Sequence, residues 1–249
     1  MRLIDVLEAG SGLVCAVGAG GKKTTLYHLA SAHVGRVGLT STVAQAPFPA
    51  TLDAQVVVAP APEIVRAVID AAAQHRFVAF ALPSQKRARH AGVPLELLAE
   101  IRREARFDVL LVKSDGARMR WIKAPEEGEP VLPEDADTVI PIVSARAIGR
   151  PLGEDIAHRP HRISLVAGVK AGDLIEPEHV GRLLAAENGA LKDTGAARVR
   201  PVLNMVDDLE TLMLAREAAH AALRLTDRFD RVALTTTGQP DRLLEIVTR

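Results

Sequence analysis

The chain has 249 residues, with 31 Lys+Arg against 31 Asp+Glu, 48% hydrophobic residues and only 3% aromatic. That length supports one large α/β domain or two small ones, with a core that needs no disulfide or metal. The balanced charge argues against a dedicated nucleic-acid binder, which carries a basic excess or patch. The single cysteine, Cys15, excludes a disulfide framework within the chain and fits a reducing compartment. The opening MRLIDVLEAGSG lacks a basic region followed by an apolar run, and no apolar stretch approaches the ~20 residues of a membrane span. A cytoplasmic protein that binds neither membrane nor nucleic acid is expected, its core built from Leu, Val, Ile and Ala.

Short β-branched runs alternate with longer Ala/Leu/Glu/Arg stretches, as they do when parallel strands cross over through helices. Leu13–Val17 reads as a buried first strand, Thr24–Val34 as a helix and Arg36–Thr40 as a second strand. A strand at Val56–Ala59, a helix at Glu63–His75 and a strand at Phe77–Leu82 follow. Pro94–Arg106 has helical spacing with Pro94 in the first turn. Phe77–Leu82 and Val109–Val112 are apolar without alternation, so both faces should be covered. Lys113–Asp137 carries Pro125, Pro130 and Pro133 and little periodicity, and reads as an ordered functional loop before a strand at Thr138–Val143. Residues Ile148–Gly172 read as irregular. Then come a helix at Pro177–Ala186, a strand at Val199–Asn204, a helix at Leu209–Leu225, a strand at Val232–Thr235 and a helix at Asp241–Val247. The expected fold is a mostly parallel sheet flanked by helices, one domain over 1–249 with an excursion at about 144–195.

The first strand runs straight into Gly18-Ala19-Gly20-Gly21-Lys22-Lys23-Thr24-Thr25. Strand, glycine turn and helix is the arrangement a phosphate cradle needs, because glycines let backbone N–H groups converge on an anion at the positive end of a helix. The pattern G-x-x-x-x-G-K-[ST] is matched imperfectly. Counting favours Lys23 as the phosphate lysine, since Thr24 then falls where the hydroxyl ligand of Mg²⁺ belongs; Lys22 is then a second cation. Asp115 lies just past the carboxyl end of Val109–Val112, where phosphate-loop proteins place the acid that holds Mg²⁺. Lys23 and Asp115 are thus the candidate catalytic pair, and Thr24 with Asp115 the candidate metal ligands. Thr42, Arg118, Arg120, Lys123, His158 and Arg159 are candidates for a substrate or partner. Asn204 and Asp207 form N-x-x-D at a strand end, a spacing that could read guanine; capping of the next helix by Asp207 or Asp208 fits equally well.

These residues, from Gly18–Thr25 through Thr40-Ser41-Thr42, Ser114–Arg118, Lys123-Ala124-Pro125, Glu129-Pro130-Val131, Gly149–Leu152 and His158-Arg159-Pro160 to Asn204–Asp207, resemble the YqeC family. The resemblance implies an accessory protein for selenium-dependent molybdenum hydroxylases. The resemblance implies a phosphate-loop NTPase fold in three layers, Mg²⁺ with ATP or GTP, and a part in maturing such a hydroxylase or its cofactor machinery. The chain departs from the family pattern at the second loop lysine, at Lys113 where glutamate is usual, at Trp121 and at Met205. A slow NTPase is the first reading. A small-molecule kinase and a nucleotide-binding module without turnover are the others, and Lys113 offers no base for a kinase acceptor.

Overall fold

Strand β1 (Gly12–Gly18) is apolar on both faces, with Leu13–Val17 buried, and this places it inside the sheet. The computed structural model describes residues 1–237 and 242–249. In it, β1 lies between two parallel neighbours, β6 (Val109–Lys113) and β8 (Thr138–Ser144). Beyond β6 the sheet continues through β2 (Val37–Ser41) and β4 (Phe77–Pro83) to an edge at β3 (Gln55–Val58), all parallel. Beyond β8 it continues through the short β10 (Arg198–Val199) and β11 (Val202–Asn204) to β12 (Arg231–Thr235), again parallel. Two additions are antiparallel: β5 (His90–Ala91) on β4 and β13 (Leu243–Thr248) on β12. A separate parallel pair, β7 (Ile122–Lys123) and β9 (Ala157–His158), forms in the loops above the sheet.

Alternate residues of the strands face opposite cores. Val14 and Ala16 of β1 pack with α1 (Leu3–Val6) and with Leu26, Leu29 and Ala30 of α2 (Lys22–Ala32). Leu13, Cys15 and Val17 pack with Ile64 and Val68 of α3 (Ala61–Gln74) and with Leu98 and Ile101 of α4 (Leu95–Ala105). Val143, on the same face of β8 as Val139 of that second core, joins α5 (Pro160–Ala167), α6 (Pro177–Ala185) and α7 (Leu209–Leu225). Helices therefore cover both faces of a mostly parallel sheet, consistent with a phosphate-loop NTPase-like three-layer architecture. Residues 144–195 share one continuous core with α7 and strands β11 and β12. No described helix is long and apolar enough to cross a membrane.

The scarcity of aromatics shapes the packing. Helix α7 buries Ala215, Ala218, Ala219, Ala221 and Ala222, a stripe so small that α6 comes very close. A Cβ at Gly181 of α6 would sit only 2.6 Å from that of Ala221. The start of α7 is set by Asp208, whose carboxylate accepts from the Thr211 N–H at 2.7 Å. Helices α3 and α6 start with proline in their first turn, where a missing N–H costs no helical bond.

Three elements differ from the sequence expectation. The segment expected as a last helix is strand β13, because Ile246-Val247-Thr248 is β-branched and an edge of β12 is open to receive it; Asp241 itself lies outside the described residues. The strand expected over Val199–Asn204 is broken into β10 and β11. Arg200 still donates to Val139 O at 2.9 Å, but Pro201 has no N–H, and Pro141 has none to give on the facing strand. The segment expected as irregular contains α5, entered through Arg159 in a left-handed conformation (φ 60°) and ended by Gly168 (φ 80°).

Candidate phosphate site at the carboxyl edge of the sheet

Parallel register brings the ends of β1, β2, β6, β8, β11 and β12 to one edge, so residues far apart in sequence meet there. Gly18 (φ 89°), Gly20 (φ 84°) and Gly21 (φ 133°) turn β1 into α2. The turn is tightly enclosed: a Cβ at Gly20 would lie 2.6 Å from Ser144 Cβ and 2.9 Å from Trp121 O. No side chain caps the first turn of α2, so its amides face the edge uncapped.

The lysine turned inward is Lys22. Its Nζ donates to Gly18 O and lies 2.8 Å from Asp115 Oδ1. Asp115 follows β6 and is buried; its Oδ2 accepts from the Gly18 N–H at 2.8 Å and has Lys123 Nζ at 3.1 Å. Lys123 also reaches Glu129 at 2.7 Å and donates to Gly116 O at 2.6 Å, and Glu129 pairs with Arg159 at 2.6 Å. One chain of alternating charges thus runs from the glycine turn to the α5 entry. Burial pulls the Lys22 pKa below its ordinary value, and Asp115 opposes that pull. Burial pushes the Glu129 carboxyl up, but Lys123 and Arg159 overcome it and hold it below the usual range.

Lys113, the last residue of β6, is also buried, yet among the described residues its Nζ has no hydrogen-bond partner. Burial brings its pKa down to about 7, with Lys22, Lys123 and Lys23 adding to the shift and Asp115 opposing it.

On the other side of the turn, Asn204 braces the loop. Its Nδ2 donates to Gly20 O at 2.8 Å, and its Oδ1 accepts from Thr235 Oγ1 at 2.9 Å. Met205 has φ 63° and takes a contact from the Ser144 hydroxyl at 3.1 Å through sulfur. Asp207 is not the cap of α7; that role is Asp208's. Asp207 Oδ1 accepts from Thr236 Oγ1 at 2.7 Å and from the Thr237 N–H at 2.9 Å, while Oδ2 meets Arg146 at 2.7 Å. Burial pushes its pKa up, but these donors outweigh it and hold the carboxyl low.

Not every expected residue converges. Counting along the loop pointed to Lys23 as the lysine at the phosphates; the structure turns Lys22 inward instead, because the first helical residue of α2 points back across the glycine turn. Lys23 is half-buried at the next position. Thr24 is exposed, bordering a surface hollow with Tyr27, His28 and Thr51, whereas Thr25 is buried. The expected Mg²⁺ ligands thus differ in setting, Thr24 at the surface and Asp115 buried. Among the described residues no group of three or more His, Cys, Asp or Glu side chains is placed to hold a metal ion. The Thr42 hydroxyl donates to Val131 O at 2.8 Å, fastening the long loop. Arg118 is exposed and Arg120 half-exposed; Lys123, His158 and Arg159 meet through the β7–β9 pair. Burial and Arg159 lower the His158 pKa. Ser144, Thr235 and Thr237 belong to the site without having been singled out, and Glu129 was named only among the residues that carry the resemblance: each is a loop or strand-end residue whose role depends on its neighbours across the sheet.

A glycine turn, an inward lysine and an uncapped helix N-terminus lie together where the parallel strands of an α/β fold end. The chain belongs to the YqeC family: the model described as YqeC protein matches residues 14–161. It is similar to the uncharacterized protein YqeC of Escherichia coli (strain K12), with 27% identity over 194 residues, 75% of this chain and 73% of that relative.

Proposed function

We propose that the chain binds a nucleoside triphosphate, ATP or GTP, on the Gly18–Thr25 loop and hydrolyses it slowly as an accessory factor for a selenium-dependent molybdenum hydroxylase. The observation that carries the binding part is Lys22, buried at the uncapped N-terminus of α2 and held ready by Asp115. Uncapped amides and the helix dipole favour an anion there. As a phosphate arrives, Lys22 exchanges the Asp115 carboxylate for a phosphate oxygen, while Asp115 keeps the Gly18 N–H and Lys123. Charge is then balanced at each stage, so the buried carboxylate is never left unpaired.

Hydrolysis asks little of the protein beyond cations around the phosphoryl oxygens and room for a water in line. A kinase reading is less well supported, since a base is needed for an acceptor hydroxyl and Asp115 is engaged with two lysines. The accessory role rests on membership of the family and on the resemblance described above. Calorimetric titration with ATP and GTP tests binding, and phosphate release with and without a purified molybdenum hydroxylase tests the rest. No binding of either nucleotide at millimolar concentration would remove this reading.

A further inference from the structure

The charges around the glycine turn do not suit a divalent cation. Among the described residues Asp115 is the carboxylate paired at the glycine turn, and Lys22 and Lys123 already attend its two oxygens. Thr24 is exposed, whereas Asp115 is buried. A metal entering here would meet the buried ammonium groups of Lys22 and Lys123 against Asp115, and like charges repel strongly when water is excluded. An expected Mg²⁺ site on Thr24 and Asp115 therefore does not fit this chain.

What does fit is an anion of high charge. Lys113 is the telling residue. It is more than nine-tenths buried, and its Nζ finds no hydrogen-bond partner among the described residues. A buried ammonium without a partner is costly, and such groups gather where a ligand supplies the counter-charge. Ser41 lies beside it in the β2–β6 register and Ala16 in the β1–β6 register, so Lys113 belongs to the strand ends that frame the glycine turn. Electrostatically it is close to Lys22, Lys123 and Lys23.

We infer that Lys22, Lys113 and Lys123 together neutralise the phosphates at this site, and that the chain takes the metal-free polyphosphate, with no divalent cation held by the protein. This rests on the nucleotide reading above and names the form of ligand it selects. Lys113 stands in for the metal: a buried amine at the end of β6, two residues before the Asp115 carboxylate expected to hold a cation.

The test is calorimetry on the full chain with inorganic tripolyphosphate, ATP and GTP, each in EDTA and in excess Mg²⁺, for the wild type and for Lys113→Met. The wild type should bind in EDTA at least as tightly as in Mg²⁺. Lys113→Met, which removes an unpaired buried charge and so should fold, should lose about tenfold or more in EDTA, the worth of one charge-assisted contact. Its loss against the Mg²⁺-complexed ligand should be smaller. Weaker wild-type binding in EDTA than in Mg²⁺, or unchanged binding by Lys113→Met in EDTA, overturns the inference and leaves nucleotide binding standing. If tripolyphosphate, ATP and GTP all fail to bind in both buffers, the nucleotide reading falls and takes this inference with it. Should Lys113→Met prove unfolded, the comparison of EDTA and Mg²⁺ in the wild type decides alone.

Discussion

Lys22 Nζ and Asp115 Oδ1 are 2.8 Å apart, with side chains only 5% and 3% exposed, so the first turn of α2 is tied to the end of β6 by a buried ion pair. Removing one partner of such a pair costs about 3–5 kcal/mol, because the other charge stays behind. Lys22→Ala should fall near the low end of that range, since Lys123 still attends Asp115. Lys23→Ala, on the half-buried next position, should change unfolding free energy by less than about 0.5 kcal/mol. Triphosphate affinity should drop about tenfold or more for Lys22→Ala and distinctly less for Lys23→Ala. Denaturant titration and calorimetry measure both quantities. A larger affinity loss for Lys23→Ala than for Lys22→Ala would restore the Lys23 register.

Trp121, the only tryptophan, should report on the loop. Its carbonyl accepts the Ser144 N–H at 3.0 Å and crowds Gly20, so a ligand seated on the glycine turn changes the surroundings of Trp121. Fluorescence should shift on titration with ATP or GTP and lose that response in Asp115→Ala. A flat signal during binding seen by calorimetry would place the turn and Trp121 out of communication.

Whether Asp207 reads a base is decided by exchange. Its carboxylate is fixed by Thr236, Thr237 and Arg146 near the end of β11. A carboxylate there accepts from the two donors on the guanine edge, and an unmatched base leaves a charged acceptor unpaired at about 1–3 kcal/mol. Asp207→Asn should weaken GTP and strengthen xanthosine triphosphate. Equal affinity for ATP and GTP in the wild type, unchanged in the variant, would leave Asp207 as a tether between β11 and the loop after β12.

Lys113 gives stability an unusual slope with pH. Its folded pKa of about 7 lies below the ordinary 10.5, so between those values the unfolded chain binds the extra proton. Stability from this group is therefore complete above about 10.5 and is lost as pH falls through 7. Lys113→Met should raise the melting temperature at pH 7 and flatten the pH dependence between 7 and 10. Thermal unfolding across that window is the measurement; parallel curves for wild type and variant would mean the amine is charged throughout.

Sequence patterning captured what local rules govern. The apolar run Leu13–Val17, the proline at the start of Pro94–Arg106 and the capped Leu209–Leu225 all appear where periodicity put them. Pairing across the sheet was invisible, and it decided the misses. Leu243–Thr248 is a strand because β12 offers an edge, and Val199–Asn204 breaks because Pro201 and Pro141 face each other's ladder. At the site, the glycine turn and Asp115 were legible from their place after apolar strands. The choice of Lys22 was not, since the loop's path across Gly18 decides which lysine turns inward. Glu129 was named by resemblance, but its pairing with Lys123 and Arg159 appears only once the loop folds back and Val131 donates to Ser114 O at 2.9 Å.

Strand β1 is hydrogen-bonded on both sides, to β6 and β8, and is covered on both faces. Amide hydrogens there can exchange with solvent only when the middle of the sheet opens, which makes β1 among the last segments to do so, long after the exposed edge at β3. The glycine turn is the direct continuation of that slow-exchanging strand. Its mouth is consequently rigid before any ligand arrives, and little of the ligand's interaction energy is consumed in ordering the backbone that receives it.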